Sequence, residues 1–179
     1  MKAKFLPFIL FGIMSINVVK NTTIPVSAEG EEKTNLSEEK RGLISQNCGT
    51  IRQSLKNLQR ADSRARIYFG SIYETVSSKY VTPLNLRLVK NNISSVPMIN
   101  LQTSLANSRS KFSADFIDYS KSLEELIVLD CRLNPDSFYE KLLETRKKRE
   151  FVASDMKTLN ELLTSSFDSA EKIKEKIHD

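Results

Sequence analysis

Residues Leu129–Leu142 read LDCRLNPDSFYEKL, and this stretch decides how the chain is folded. Asn134-Pro135-Asp136 is a helix start: a capping asparagine, a proline at the first helical position, and an acid facing the positive end of the helix dipole. Cys131 therefore lies just before a new helix, at the end of whatever element precedes it. Apolar residues on both sides recur every three or four positions, so both elements are predicted to be helices.

Working back from Cys131, a long helix is expected over residues 97–132, opened by Pro97 and striped by Leu101, Leu105, Phe112, Phe116, Tyr119, Leu123, Leu126 and Ile127. An earlier helix is expected over residues 38–80, with Ile44, Cys48, Ile51, Leu55, Leu58, Ala61, Ala65, Tyr68, Ile72 and Val76 on one side. Thr82-Pro83 should end it, because proline lacks a donor and disfavours helical geometry in the residue before it. A short helix over residues 83–92, capped by Thr82, fits the segment between. Forward of Pro135, residues 135–167 carry alternating four- and three-residue steps: Phe138, Leu142, Thr145, Arg149, Val152, Met156, Leu159, Leu163 and Ser166. The fold class expected is all-α: an antiparallel three-helix bundle or coiled-coil-like hairpin with a third long helix.

The chain has two cysteines, Cys48 and Cys131. Cys48 lies 32 residues before Tyr80 and Cys131 lies 32 residues after Ile99. At 1.5 Å of rise per residue both stand ~48 Å from the hairpin end, so folding the second helix back along the first brings them level. A disulfide between them is predicted, stapling the hairpin just before the third helix. The same reflection sets Asp62, Asp118 and Arg149 at one height, with Asp115 nearby, and predicts a polar core layer from them. It also sets Phe112 and Phe116 opposite Ala65 and Ala61.

The opening residues have the layout of a secretory signal peptide. Lys2 and Lys4 precede an apolar run from Phe5 to Val19, and Val26-Ser27-Ala28 is a small-residue cleavage site. Residues 1–28 are read as this leader and 29–37 as a disordered polar lead-in. The rival reading, a retained anchor, needs ~20 apolar residues, more than the run supplies. Removing Lys2, Lys4 and Lys20, and no acid, lowers the net charge from +5 to +2 and takes away most of the case for nucleic acid or an anionic membrane as partner. What remains suits one domain in a secreted, periplasmic or cell-surface setting, with no stable membrane span.

Candidate chemistry is thin. No catalytic constellation, metal-ligand spacing or cofactor loop is read from the chain, and the lone histidine, His178, is next to last. A carboxylate-based hydrolase, suggested by acids such as Glu124-Glu125, is the minor enzymatic alternative. The basic run TRKKRE, residues 145–150, covers all sides of a helix and makes no single face. Asn35 and Asn92 open glycosylation sequons. Tyr68, Phe69, Tyr73 and Tyr80 are read as core, with a ligand cavity as the alternative. Residues 168–179 should overhang the bundle and present Ala170, Ile173 and Ile177 to a partner or a second copy.

The segments KYVTPLNLRLVKNN, residues 79–92, and SLEELIVLDCRLNPDSFYEKL, residues 122–142, resemble uncharacterised small secreted helical proteins of bacteria. The resemblance spans most of the chain after the leader, implies export and a helical fold, and implies no activity. The function expected is a non-enzymatic binding or structural module acting through protein contacts. The alternative is an extracytoplasmic carrier or chaperone for an apolar ligand or unfolded client.

Overall fold

The structure is a computed structural model that describes residues 36–93 and 95–178. The expected leader, its cleavage site, most of the lead-in and Asn35 lie outside the described residues. Among the described residues there is no strand. The elements are α1 (Glu38–Val76), a π-helical turn (Ser77–Val81), α2 (Thr82–Lys90), α3 (Val96–Val128) and α4 (Pro135–His178).

α1 begins where Ser37 turns extended and its hydroxyl accepts from the Lys40 N–H at 3.4 Å, with Glu38 and Glu39 in the first turn. Leu36 is already buried. The ordered domain thus starts inside the stretch expected to be a disordered lead-in. The other end of α1 also departs from expectation, because Thr82-Pro83 does not break the helix. A proline ring in a regular α-helix collides with the carbonyl four residues earlier. Here the backbone widens over Ser77–Val81, where the Thr82 N–H reaches back to Ser77 O, and the wider turn makes room for the ring. Thr82 stays helical and does not cap; its hydroxyl accepts from Gln102 Nε2 at 3.0 Å.

α2 stops at a cap built on asparagine. Asn92 takes a positive φ of 54°, the Ile93 N–H reaches Leu88 O at 2.9 Å, and the Asn92 N–H reaches Val89 O at 3.1 Å. This is the Schellman arrangement, and its usual apolar contact is supplied by Leu88 and Ile93, both in the core. α3 ends earlier than expected, at Val128. Leu129 is extended, and Asp130 Oδ1 accepts from the Arg132 and Leu133 N–H groups at 2.9 and 3.2 Å, turning the chain toward Pro135.

The stripe expected on α4 faces the core. Phe138, Thr145, Val152, Leu159 and Ser166 are buried, Leu142, Met156 and Leu163 are half-buried, and Arg149 reaches the edge. On α1 the expected stripe slips by one residue beyond Leu58. Asp62, Phe69 and Tyr73 face inward where Ala61 and Tyr68 were expected, and Tyr68 is 64 % exposed. Asp62, expected in the polar layer, is the inward residue at this turn, while Ala61 beside it is exposed.

Contacts from α1 to α3 and to the junction into α4 run in opposite numerical order: Arg41 with Asp136, Cys48 with Cys131, Arg52 with Leu129, Asp62 with Tyr119, and Glu74 with Arg109. Farther along α4, Asp62 meets Arg149 and Tyr73 meets Asn160 in rising order. Between 48 and 52 α1 advances four residues while its partner retreats only two, from 131 to 129. Extended backbone rises about 3.3 Å per residue against 1.5 Å in a helix, so two residues of turn match four of helix. The Phe112 ring meets Tyr73 edge-on at 6.1 Å, and the Phe116 ring lies under the Arg66 guanidinium at 5.2 Å. The expected pairing of Phe112 and Phe116 with Ala65 and Ala61 is corrected accordingly.

α4 does not end at residue 167 with a separate tail but continues as one helix to His178. Because the helical run from α1 continues through α2 to Lys90, Ala170 and Ile173 find cover and pack against the core. The side chain of Ile177 lies outside the described residues.

The cysteines are joined, with Cα atoms 5.6 Å apart and both side chains buried. Around them Arg41 Nε binds Asp136 at 2.9 Å, Ser45 Oγ donates to Arg132 O at 3.3 Å, and Arg52 reaches Leu129 O at 3.1 Å. The bond spans 83 residues. In the chain-entropy picture a loop of this length contributes roughly 4–5 kcal/mol. Reduction, or Cys48→Ser with Cys131→Ser, should lower Tm by roughly 10–20 °C while the far-ultraviolet spectrum stays helical. Thermal melts with and without reductant check this.

Candidate functional site

Three clusters of polar groups follow one another along the helices from the disulfide end. Uppermost, Lys141 binds Glu125 at 2.5 Å, and the Thr145 hydroxyl donates to Lys141 O at 2.8 Å while accepting from Ser122 Oγ at 2.8 Å. Lys141 holds the Glu125 carboxyl below its ordinary range. Glu125 is thus occupied in an ion pair, and Glu124 beside it is exposed. The two do not form an acid–base pair.

The middle height holds Asp62, Arg149 and Tyr119. Arg149 Nε and Nη2 grip the two Asp62 oxygens at 2.8 and 3.1 Å, and the Tyr119 hydroxyl donates to Asp62 Oδ2 at 2.7 Å. Three helices contribute one group each. Asp118, expected in this layer, is instead an exposed partner of Lys148 at 3.1 Å. The height was right and the face wrong: neighbouring helix residues point about 100° apart, so Lys148 meets α3 while Arg149 reaches α1. Tyr119 was assigned to the apolar stripe, and the signal for its polar role was the carboxylate at the same height. The basic run is dispersed, with Arg146 and Lys147 exposed and Lys148 and Arg149 in separate ion pairs.

The lowest height carries a pair of carboxylates that the hydrophobic pattern concealed. Lys111 Nζ lies 2.6 Å from Asp115 Oδ2 and 2.7 Å from Asp155 Oδ1. Asp155 is buried and its Oδ2 has no hydrogen-bond partner. Burial pushes Asp155 up, while Lys111 pulls Asp115 down. The lysine bridges both carboxylates, an arrangement that clamps α3 to α4.

Beside this, between α1 and α3, lies an open groove of about 590 Å³. Its walls are small residues, Gly70, Ala106, Ser110 and Ser113, and its floor is Tyr73 and Phe112. Arg66, Ile67 and Arg109 form the rim, with Arg66 5.2 Å from the Phe116 ring centroid and Arg109 paired with Glu74. A Cβ added at Gly70 would meet nothing within 4 Å. Of the aromatic set, Tyr73 is buried and donates to Asn160 Oδ1 at 3.2 Å, Phe69 stacks on it, and Tyr68 and Tyr80 are exposed. Among the described residues, no group of three or more His, Cys, Asp or Glu is placed to hold a metal ion. No protein-family model, curated protein or solved structure matches the chain.

The two buried phenols set an alkaline limit. Burial pushes Tyr73 up to about 12, and burial followed by the neighbouring Asp62 carboxylate pushes Tyr119 up as well. Both folded values lie above the unfolded value near 10, so the protonated phenols favour the fold fully below about pH 10 and that contribution is lost as pH rises through the shifted values. Tm should fall between about pH 10 and 12, and less steeply when both tyrosines are replaced by Phe. At neutral pH, Tyr119→Phe should cost about 1 kcal/mol, whereas Asp62→Ala should cost about 2–3 kcal/mol because it orphans the phenol and the guanidinium together. Urea denaturation of the two variants checks the order.

Proposed function

We propose that the chain is a secreted or cell-surface helical module, built as an antiparallel three-helix bundle, that works through protein–protein contacts in the groove between α1 and α3. The observation that carries this reading is Gly70. A glycine inside a helix costs about 1 kcal/mol relative to alanine, and of the three α1 glycines with open space beside them, Gly42, Gly49 and Gly70, it is Gly70 that lines the groove. A helix entering the groove would use that space, since small walls let backbones approach closely. Tyr73 and Phe112 would supply the apolar floor, and Arg66 on the rim would favour a partner with an acid along that edge. The buried disulfide supports placement in an oxidising compartment outside the cytosol. No helix among the described residues is long and apolar enough to cross a membrane.

A photo-crosslinking side chain at Ala106 should capture one protein from the native cell envelope. Gly70→Leu should abolish capture while leaving the melting temperature equal or higher. Capture that survives Gly70→Leu would assign the contact elsewhere. Recovery of a bound lipid or unfolded client from the purified protein would favour the carrier reading instead.

A further inference from the structure

The end of the domain remote from the disulfide carries a surface that the groove reading does not use. α2 is apolar on two sides. Leu84 and Leu88 pack toward the core, while Leu86 and Val89 point away from it, 67 % and 63 % exposed. A short helix with a second apolar side is incomplete in water. Tyr80, just before α2, and Val96 and Ile99 at the start of α3 are exposed at the same end, and Asn85 ties the two elements through Met98 O at 3.2 Å.

The charge there is one-sided. Between Glu74 and Asp115 the sequence holds no acid, whereas Lys79, Arg87 and Lys90 fall on the π-helical turn and α2. Among the described residues none of these three is in an ion pair, unlike Arg109 and Lys111 farther along the same acid-free stretch. On α4, Asp168, Glu171 and Glu175 are interleaved with Lys172 and Lys174, so the neighbouring helix leaves the positive surplus largely in place.

We propose that α2 and the first turn of α3 rest this end of the domain on an anionic lipid surface, with Leu86 and Val89 entering the headgroup layer and Lys79, Arg87 and Lys90 facing the lipid phosphates. The residue types favour lipid over a protein partner. Aliphatic tips flanked by long cationic side chains match a boundary that is apolar below and negative above, and a tyrosine suits its interface. A cationic side chain held near an anionic surface strengthens binding about fivefold, so three together contribute about a hundredfold. The contact is peripheral and does not depend on the groove.

The chain contains no tryptophan, so a single introduced one reports its own surroundings. The full chain carrying Leu86→Trp should shift its emission to the blue on vesicles containing phosphatidylglycerol, weakly on pure phosphatidylcholine, and less as salt is raised. Leu133→Trp, 80 % exposed at the disulfide end, should not shift, and this separates docking by α2 from any attachment through the apolar leader. Adding Lys79→Gln, Arg87→Gln and Lys90→Gln to Leu86→Trp should weaken vesicle binding about a hundredfold without changing the thermal melt. No shift at low salt, equal shifts at both positions, or a shift unmoved by the glutamines would overturn the proposal. So would a blue shift that grows with protein concentration in the absence of lipid, which would mean that a second copy covers the surface.

Discussion

The cross-link between Cys48 and Cys131 is the constraint on which the rest depends. It ties the first long helix to the three-residue turn that launches the last, and so sets the height at which every later pair can meet. The neighbouring Arg41–Asp136, Ser45–Arg132 and Arg52–Leu129 contacts hold the same junction. Arg52 adds a positive group at the carbonyl end of α3, where no basic residue of α3 itself lies in the last turn. From this anchored end the helices run out about 50 Å for α3, at 1.5 Å per residue over its 33 residues.

Along that length the interior alternates apolar packing with polar groups that choose partners. Tyr119 and Arg149 meet on Asp62, Ser122 meets Thr145, and Lys111 bridges Asp115 and Asp155. Each would be orphaned by sliding one helix against its neighbour. They add little net stability for the desolvation they require, and their effect is to select one register among apolar packings that are nearly equal in energy. The ends of the domain differ in kind. One is closed by a covalent bond and ion pairs, while at the other Lys79, Arg87 and Lys90 are in no ion pair among the described residues.

Some features were legible because they depend only on local chemistry. The Asn-Pro-Asp start of α4 is one, the four–three stripe from Phe138 to Ser166 another, and the equal arms that bring the cysteines level a third. Others depended on a neighbour that the local pattern does not show. Pro83 reads as a stop until the π-helical turn ahead of it gives its ring room. Tyr119 reads as core filler until Asp62 is found at its hydroxyl. Asp155 lies three residues after Val152 and four before Leu159, on the same inward side of the helix, but its charge hides that position until its burial beside Lys111 and Asp115 is seen.

The sequence by itself determined helix content, the cysteine pairing and the approximate height at which Asp62 and Arg149 meet, because these follow from hydrophobic period, cap residues and rise per residue. Only the tertiary structure decided which of two adjacent residues faces which helix. A rotation of 100° separates Lys148 from Arg149 and sends one to Asp118 and the other to Asp62. Counting residues along an axis measures distance along a helix, whereas the azimuth is settled by packing against all the neighbours at once.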